Sequence, residues 1–190
     1  MIRPRAGDFL YDGTEVDVMA RDIAALRAAG AAGIVTGALT AKGDVDHRRM
    51  REFVDIAEGS PVTFHRAFDV CRDAAAAIDE LCELGVARLL SSGQRASAPE
   101  GKHALRDAVE RAGDRLTVMA GAGVREDNVV RLVEFTGVRE VHLSASGQRR
   151  SRMSFRRDEV AMGAASQDEY LLRTTEEAAV ARVVSALRNR

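Results

Sequence analysis

Apolar runs recur along this chain at a nearly constant step. They begin near Ile34, Val62, Arg88, Leu116 and Glu140, at intervals of 28, 26, 28 and 24 residues. Between them, apolar positions recur at helical spacing. Val16, Met19, Ile23 and Leu26 mark one helical face, with Thr14 and Asp17 placed as a capping-box variant before it. Asp46 is positioned to cap a helix carrying Met50, Phe53, Val54 and Ala57, and Asp73 one carrying Ile78, Leu81, Cys82 and Leu84. Helices are predicted over Leu105–Ala112 and Val129–Phe135, and a last one over Thr175–Leu187, burying Ala179, Val183 and Leu187. Glycine phrases, such as Leu84-Gly85-Val86 and Thr136-Gly137-Val138, close helices just before the next run. Strand and helix alternating every ~25–30 residues mean parallel strands joined by right-handed crossovers.

Within the runs, period two sorts residues by face. Arg3 pairs with Arg5, Thr63 with His65, Leu89 with Ser91, and His142 with Ser144 and Ser146. In a doubly wound sheet both faces meet helices, and such polar sets have no place. In a barrel one face points inward, where polar strand ends meet solvent and ligand. The pattern therefore predicts an α/β chain of (β/α)-barrel type in one domain, residues 1–190. Met1–Pro4 reads as a further strand, which brings the count to six. A closed parallel barrel normally has eight strands in ~250 residues. Two readings stay open: a six-stranded open sheet, or a barrel whose first two βα units are missing.

Composition narrows the function classes. A net charge of −1 supplies no global field for nucleic acid or an anionic membrane. Aromatics are 4% with no Trp, which disfavours a base-stacking platform. No apolar run reaches the ~20 residues of a membrane span, and the N-terminus carries no signal-type apolar region. Cys71 and Cys82, without CxxC spacing, fit a reducing, cytoplasmic setting.

Candidate chemistry gathers at the strand ends. Pro61-Val62-Thr63-Phe64 runs into His65, Arg66 and Asp69: a proton carrier, a fixed cation and a carboxylate. His65 reads as an acid–base group with Asp69 as its orienter. The plainer reading is an Arg66–Asp69 ion pair with His65 holding a loop. Arg3 and Arg5 need a partner if they face inward, either Asp8, Asp69 or a bound anion. Gly121-Ala122-Gly123-Val124 precedes a helix expected near Arg125 and, with Ser144-Ala145-Ser146, offers an anion cradle. His142, Ser144 and Ser91 complete the candidate set. Arg149-Arg150-Ser151-Arg152 and Arg156-Arg157 read as a solvated basic loop. Lys42 and Lys102, the only lysines, fall outside the strands, so no Schiff-base nucleophile is evident.

Several of these blocks, in this order and spacing, resemble the CutC copper homeostasis family. They are Met1–Tyr11, Pro61–Asp69, Ser91-Ser92-Gly93 with Glu100-Gly101, Met119–Val124, Glu140–Ala145 and Val160–Gly163. The resemblance implies an eight-stranded TIM barrel, of which this chain carries strands three to eight. It implies a role in copper homeostasis, with copper as a possible bound ion. The residues themselves show no soft-ligand site, since Cys71 follows a strand-end loop while Cys82 lies on an apolar helix face. Three readings follow: a CutC-type copper homeostasis protein, a barrel enzyme acting on a small anionic or phosphorylated metabolite, or a non-catalytic scaffold. The open strand edges of an incomplete barrel also predict a homo-oligomer, dimer or higher.

Overall fold

Five short strands form one parallel sheet in simple chain order. They are β1 (Ile34–Thr36), β2 (Val62–Phe64), β3 (Arg88–Ser91), β4 (Thr117–Ala120) and β5 (Glu140–Val141). Helices α1 (Gly13–Ala28), α2 (His47–Ile56), α3 (Ala74–Glu83), α4 (Lys102–Ala112) and α5 (Val129–Thr136) alternate with them. A 3-10 turn, Arg66–Val70, follows β2. Beyond β5 come an antiparallel hairpin of β6 (Ser146–Arg150) and β7 (Leu171–Thr175), then α6 (Glu177–Arg188). The computed structural model describes residues 1–157, 159–160 and 168–189. Most of the Val160–Gly163 block therefore lies outside the described residues. No described helix is long and apolar enough to cross a membrane.

Strand order without reversal puts every crossover helix on the same face of the sheet, as in a barrel and unlike a doubly wound sheet. Burial shows which face that is. Ile34, Val62, Phe64, Leu89, Val118 and Ala120 are 0–4% exposed and join Met19, Ile23, Met50, Phe53, Leu81 and Leu105 of the helices in one core. The register then fixes the opposite face. Val35 pairs with Thr63, Thr63 with Arg88, Arg88 with Thr117, and Leu90 with Met119. These inner residues, Leu90 apart, are only half-buried. Arg88 and Glu140 join across this face, Nε to the carboxylate oxygens at 3.0 and 2.9 Å.

Several local expectations need correction. Met1–Pro4 is not a strand: Ile2 donates one hydrogen bond to the Val35 carbonyl at 2.7 Å. Donors on one side of a strand recur every second residue, and the next position is Pro4, which has no N–H. The capping box of α1 is Asp12 with Glu15, two residues earlier than Thr14–Asp17. Asp46 and Asp73 do cap α2 and α3, each accepting a backbone N–H with its side chain. Ser91 lies on the helix side, because Phe64 pairs with Leu89 and period two carries Ser91 with it. The inward residue of β3 beside His65 is Leu90. Arg149 and Arg150 belong to β6, although they are exposed as a solvated loop would be.

The loop after β3 depends on backbone-to-backbone contact. A Cβ on Gly101 would sit 1.9 Å from the Ser92 carbonyl oxygen, and one on Gly93 (φ +71°) 2.2 Å from that of Gly101. Gly101→Ala is expected to lower unfolding free energy by about 3 kcal/mol. Gly13→Ala, with open space around it in the first turn of α1, should change it by less than about 1 kcal/mol. Chemical denaturation of the two variants checks the contrast.

Candidate functional site

The C-terminal ends of the strands open onto a cleft of about 1150 Å³. Arg3 and Phe9 reach it from the N-terminal segment, and His65 and Arg66 from the end of β2. Leu90 floors it. Gly123, His142 and Ser144 come from the loops after β4 and β5, and α6 closes one side with Arg182 and Val183. Six of the residues singled out in the sequence thus share one cavity: Arg3, His65, Arg66, Gly123, His142 and Ser144.

His65 is the most constrained of them. Phe64 is buried under the helices, so the next side chain along the strand must turn inward. The imidazole is 4% exposed. It packs between Phe9, 5.0 Å centroid to centroid, and Phe64, 6.1 Å away. Its Nδ1 accepts the Ala67 N–H at 3.2 Å. Its Nε2 is buried and has no hydrogen-bond partner. Burial is the main cause that pulls its pKa from the ordinary 6.5 down to about 4, and the nearby Arg3 charge pushes the same way.

Asp69 does not orient His65. Its side chain, 6% exposed, accepts Arg66 Nε at 2.6 Å, Ser91 Oγ at 2.6 Å, Ser92 N at 3.0 Å and Gln94 N at 3.2 Å. Arg66 also donates to Ser92 Oγ at 3.0 Å. The plainer sequence reading, an Arg66–Asp69 pair, is therefore present. It also anchors the guanidinium on the cleft wall. Gln94 was not singled out in the sequence; its left-handed backbone (φ +56°) aims its N–H at Asp69, and no pattern in the chain signals that.

The two N-terminal arginines part company. Arg5 turns away to Glu15 (2.5 Å) and Asp8 (2.9 Å), and its guanidinium lies over Tyr11. Arg3 lies over the Phe9 ring at 4.7 Å and donates to the Gly7 carbonyl at 2.7 Å, with no carboxylate partner among the described residues. Gly121 faces the sheet interior, where a Cβ would meet Leu90 Cδ1 at 2.5 Å, and it is not part of the cleft lining. The helix after the glycine loop starts at Val129, not near Arg125, with Asn128 bridging the turn to Arg125 N and the Gly123 carbonyl. β5 ends at Val141, so His142 and Ser144 are loop residues and Ser146 opens the hairpin. Sequence reasoning missed Phe9, Leu90 and the Arg182–Glu126 pair at 2.7 Å. An alternating-face reading of β3 anchored on Phe64 would have found Leu90.

Among the described residues, no three His, Cys, Asp or Glu side chains gather as metal ligands. Burial raises the Cys71 thiol to about 11 and also pushes Cys82 up. Both shifts act against the thiolate, the form that ligates a soft metal. Among the described residues, no group fits a copper centre.

Fold and site together define a barrel-type α/β protein with a cleft at the strand C-termini. The chain belongs to the CutC family, whose model matches residues 1–147. It is 49% identical over 187 residues to a CutC family protein of Chromobacterium violaceum, covering 98% of this chain and 76% of that one. It is 47% identical over 191 residues to one of Vibrio vulnificus, again covering 76% of the relative. A crystal structure of a CutC protein from Streptococcus agalactiae, assigned provisionally to copper homeostasis, superposes with a TM-score of 0.72 at 32% identity, covering 74% of this chain and 69% of that one. A structure named Native KDPGal shares the fold alone, with a TM-score of 0.53 at 18% identity over 96% of this chain and 67% of that one.

The buried imidazole makes a signed prediction. Above pH 6.5 it is neutral folded and unfolded, and contributes no pH dependence. As pH falls from 6.5 towards 4, the unfolded chain takes up the proton first, so folding stability is lost across that window. The loss attributable to His65 should be about 3 kcal/mol between pH 7 and pH 4, levelling off below. Urea titrations of wild type and His65→Gln at several pH values measure it as the difference between the two. A difference that does not vary with pH would contradict it.

Proposed function

We propose that this CutC-family protein binds a small anionic ligand in the cleft at the strand ends, within the copper homeostasis role that the family name implies. The observation that carries the reading is the buried, unpartnered Nε2 of His65 beside Arg3 and Arg66. An unmade hydrogen bond at a buried donor costs about 1–3 kcal/mol, which a ligand oxygen offsets. Arg3 has no carboxylate partner among the described residues and Arg66 is held in place by Asp69, so both are ready to face an anion. An indirect connection to copper is the form this reading takes, as no His, Cys, Asp or Glu cluster that could hold a metal lies among the described residues. The acid–base reading of a His65–Asp69 pair loses support, because Asp69 is committed to Ser91, Ser92, Gln94 and Arg66.

The same reading extends to the fold. Residues 1–190 are read as one domain and as the later part of an eight-stranded barrel, with β1–β5 as its strands four to eight and Met1–Pro4 at the position of strand three, held by a single hydrogen bond. The half-buried inner face and the 76% coverage of the relatives support this.

Calorimetric titration with acetate, pyruvate and inorganic phosphate tests the site. Wild type should bind at least one of them, and Arg3→Ala should weaken that binding about tenfold. Affinity for all three no better in wild type than in Arg3→Ala would count against the reading. Cu(I) titration against a competing chelator should show no affinity beyond that of an unrelated thiol protein.

A further inference from the structure

Resting on the anion-binding reading, we infer that His65 serves the cleft as a neutral hydrogen-bond donor of fixed tautomer, and that the ligand presents a carboxylate or carbonyl oxygen to its Nε2–H. A backbone N–H is a donor only, so the Ala67 N–H at 3.2 Å requires a lone pair on Nδ1. In the neutral ring the proton is then on Nε2, the nitrogen left without a partner. The slot around the ring holds this arrangement. The imidazole lies against Gly37, where a Cβ would stand 2.6 Å from Nδ1 and 2.7 Å from Cε1. Phe9 and Phe64 flank it, and the His65 N–H is fixed to the Thr36 carbonyl at 2.9 Å. Gly37 is thus a positioning residue: its missing side chain is the space the ring occupies.

The charge around the ring favours the same state. Arg3 comes from the N-terminal segment and Arg66 from the turn that follows, and no carboxylate among the described residues bonds the ring. An imidazolium there would face the Arg3 guanidinium, while the charge of Arg66 is already met by Asp69; a neutral donor instead adds a hydrogen bond beside them. Guanidinium groups match the two oxygens of a carboxylate in a fork geometry. A neutral N–H suits an oxygen that carries partial or full negative charge without exchanging a proton with it, as neutral imidazole does when it polarises a carbonyl.

Nitrogen NMR of the imidazole, with the acetate, pyruvate and phosphate probes, tests this in three ways. In ligand-free protein at pH 7, a proton on Nε2 and an acceptor signature at Nδ1 are expected. The opposite tautomer or an imidazolium would overturn the inference whatever binds. On adding acetate or pyruvate, the Nε2 signal should move, and phosphate as the sole binder would overturn the carboxylate assignment. His65→Gln keeps a donor near Nε2 but cannot titrate, and should retain affinity within about threefold, whereas His65→Phe should lose about tenfold or more. Equal losses in both variants, with wild type still binding, would overturn the donor role and leave anion binding standing. Wild type binding none of the probes would overturn both. Gly37→Ala should remain folded by circular dichroism yet lose the Nε2 signature, and an unchanged signature would remove Gly37 from the argument.

Discussion

The alternation of side chains along β2 is the constraint on which the rest of the site depends. Val62 and Phe64 must both lie beneath the helices, and they are 3% and 0% exposed. A strand cannot send neighbours to the same face, so Thr63 and His65 are forced to the inner side. A one-residue slip would bury the imidazole among apolar helix side chains and put Phe64 in the cleft. That core burial is worth about 2–3 kcal/mol for a phenylalanine, which holds the register against any preference of the polar residues. The same logic, passed across the ladder from Phe64 to Leu89, decides that Leu90 and not Ser91 stands beside His65.

Once the face is set, the loops finish the electrostatics. Asp69 would be costly to bury alone. It sits instead in a ring of donors from the β3 loop, and the guanidinium of Arg66 completes the ring. Two tight backbone features make the ring possible. Gly93 and Gly101 touch without side chains between them, and Gln94 takes a left-handed conformation to turn its N–H inward. The result is a guanidinium held by groups that are themselves held, so its position on the cleft wall depends little on solvent.

The fold was largely legible because it is written in periodic signals. The starts of the five sheet strands fall within one residue of the apolar runs, and two of the three expected caps are in place. What could not be read depends on partners distant in sequence. Arg3 and Arg5 look equivalent in the chain, yet Glu15 draws Arg5 away, and nothing local announces that competition. Asp69, four residues past His65, looked like its orienter, but the turn between them carries the carboxylate to the β3 loop 22 to 25 residues further on. Leu90 and Ser91 were assigned to the wrong faces because polarity was taken as the sign of the inner side. In β3 the polar residue faces the helix layer, where a buried carboxylate satisfies it.

The chemistry of the cleft also bears on what the copper association can mean. In the tautomer proposed for His65, neither nitrogen offers a metal a free lone pair: Nδ1 accepts the Ala67 N–H and Nε2 carries the proton. Moving the proton to free Nε2 would set Nδ1–H against Ala67 N–H, two donors facing each other. Burial disfavours the thiolate form of both cysteines, the form that Cu(I) binds, with the larger shift at Cys71. The Arg3 guanidinium near the ring would further oppose a cation. Around His65 the proposed reading therefore favours an anion over a metal ion, with Arg3 and Arg66 on the cavity wall and the carboxylates of Glu126 and Asp127 lining it elsewhere.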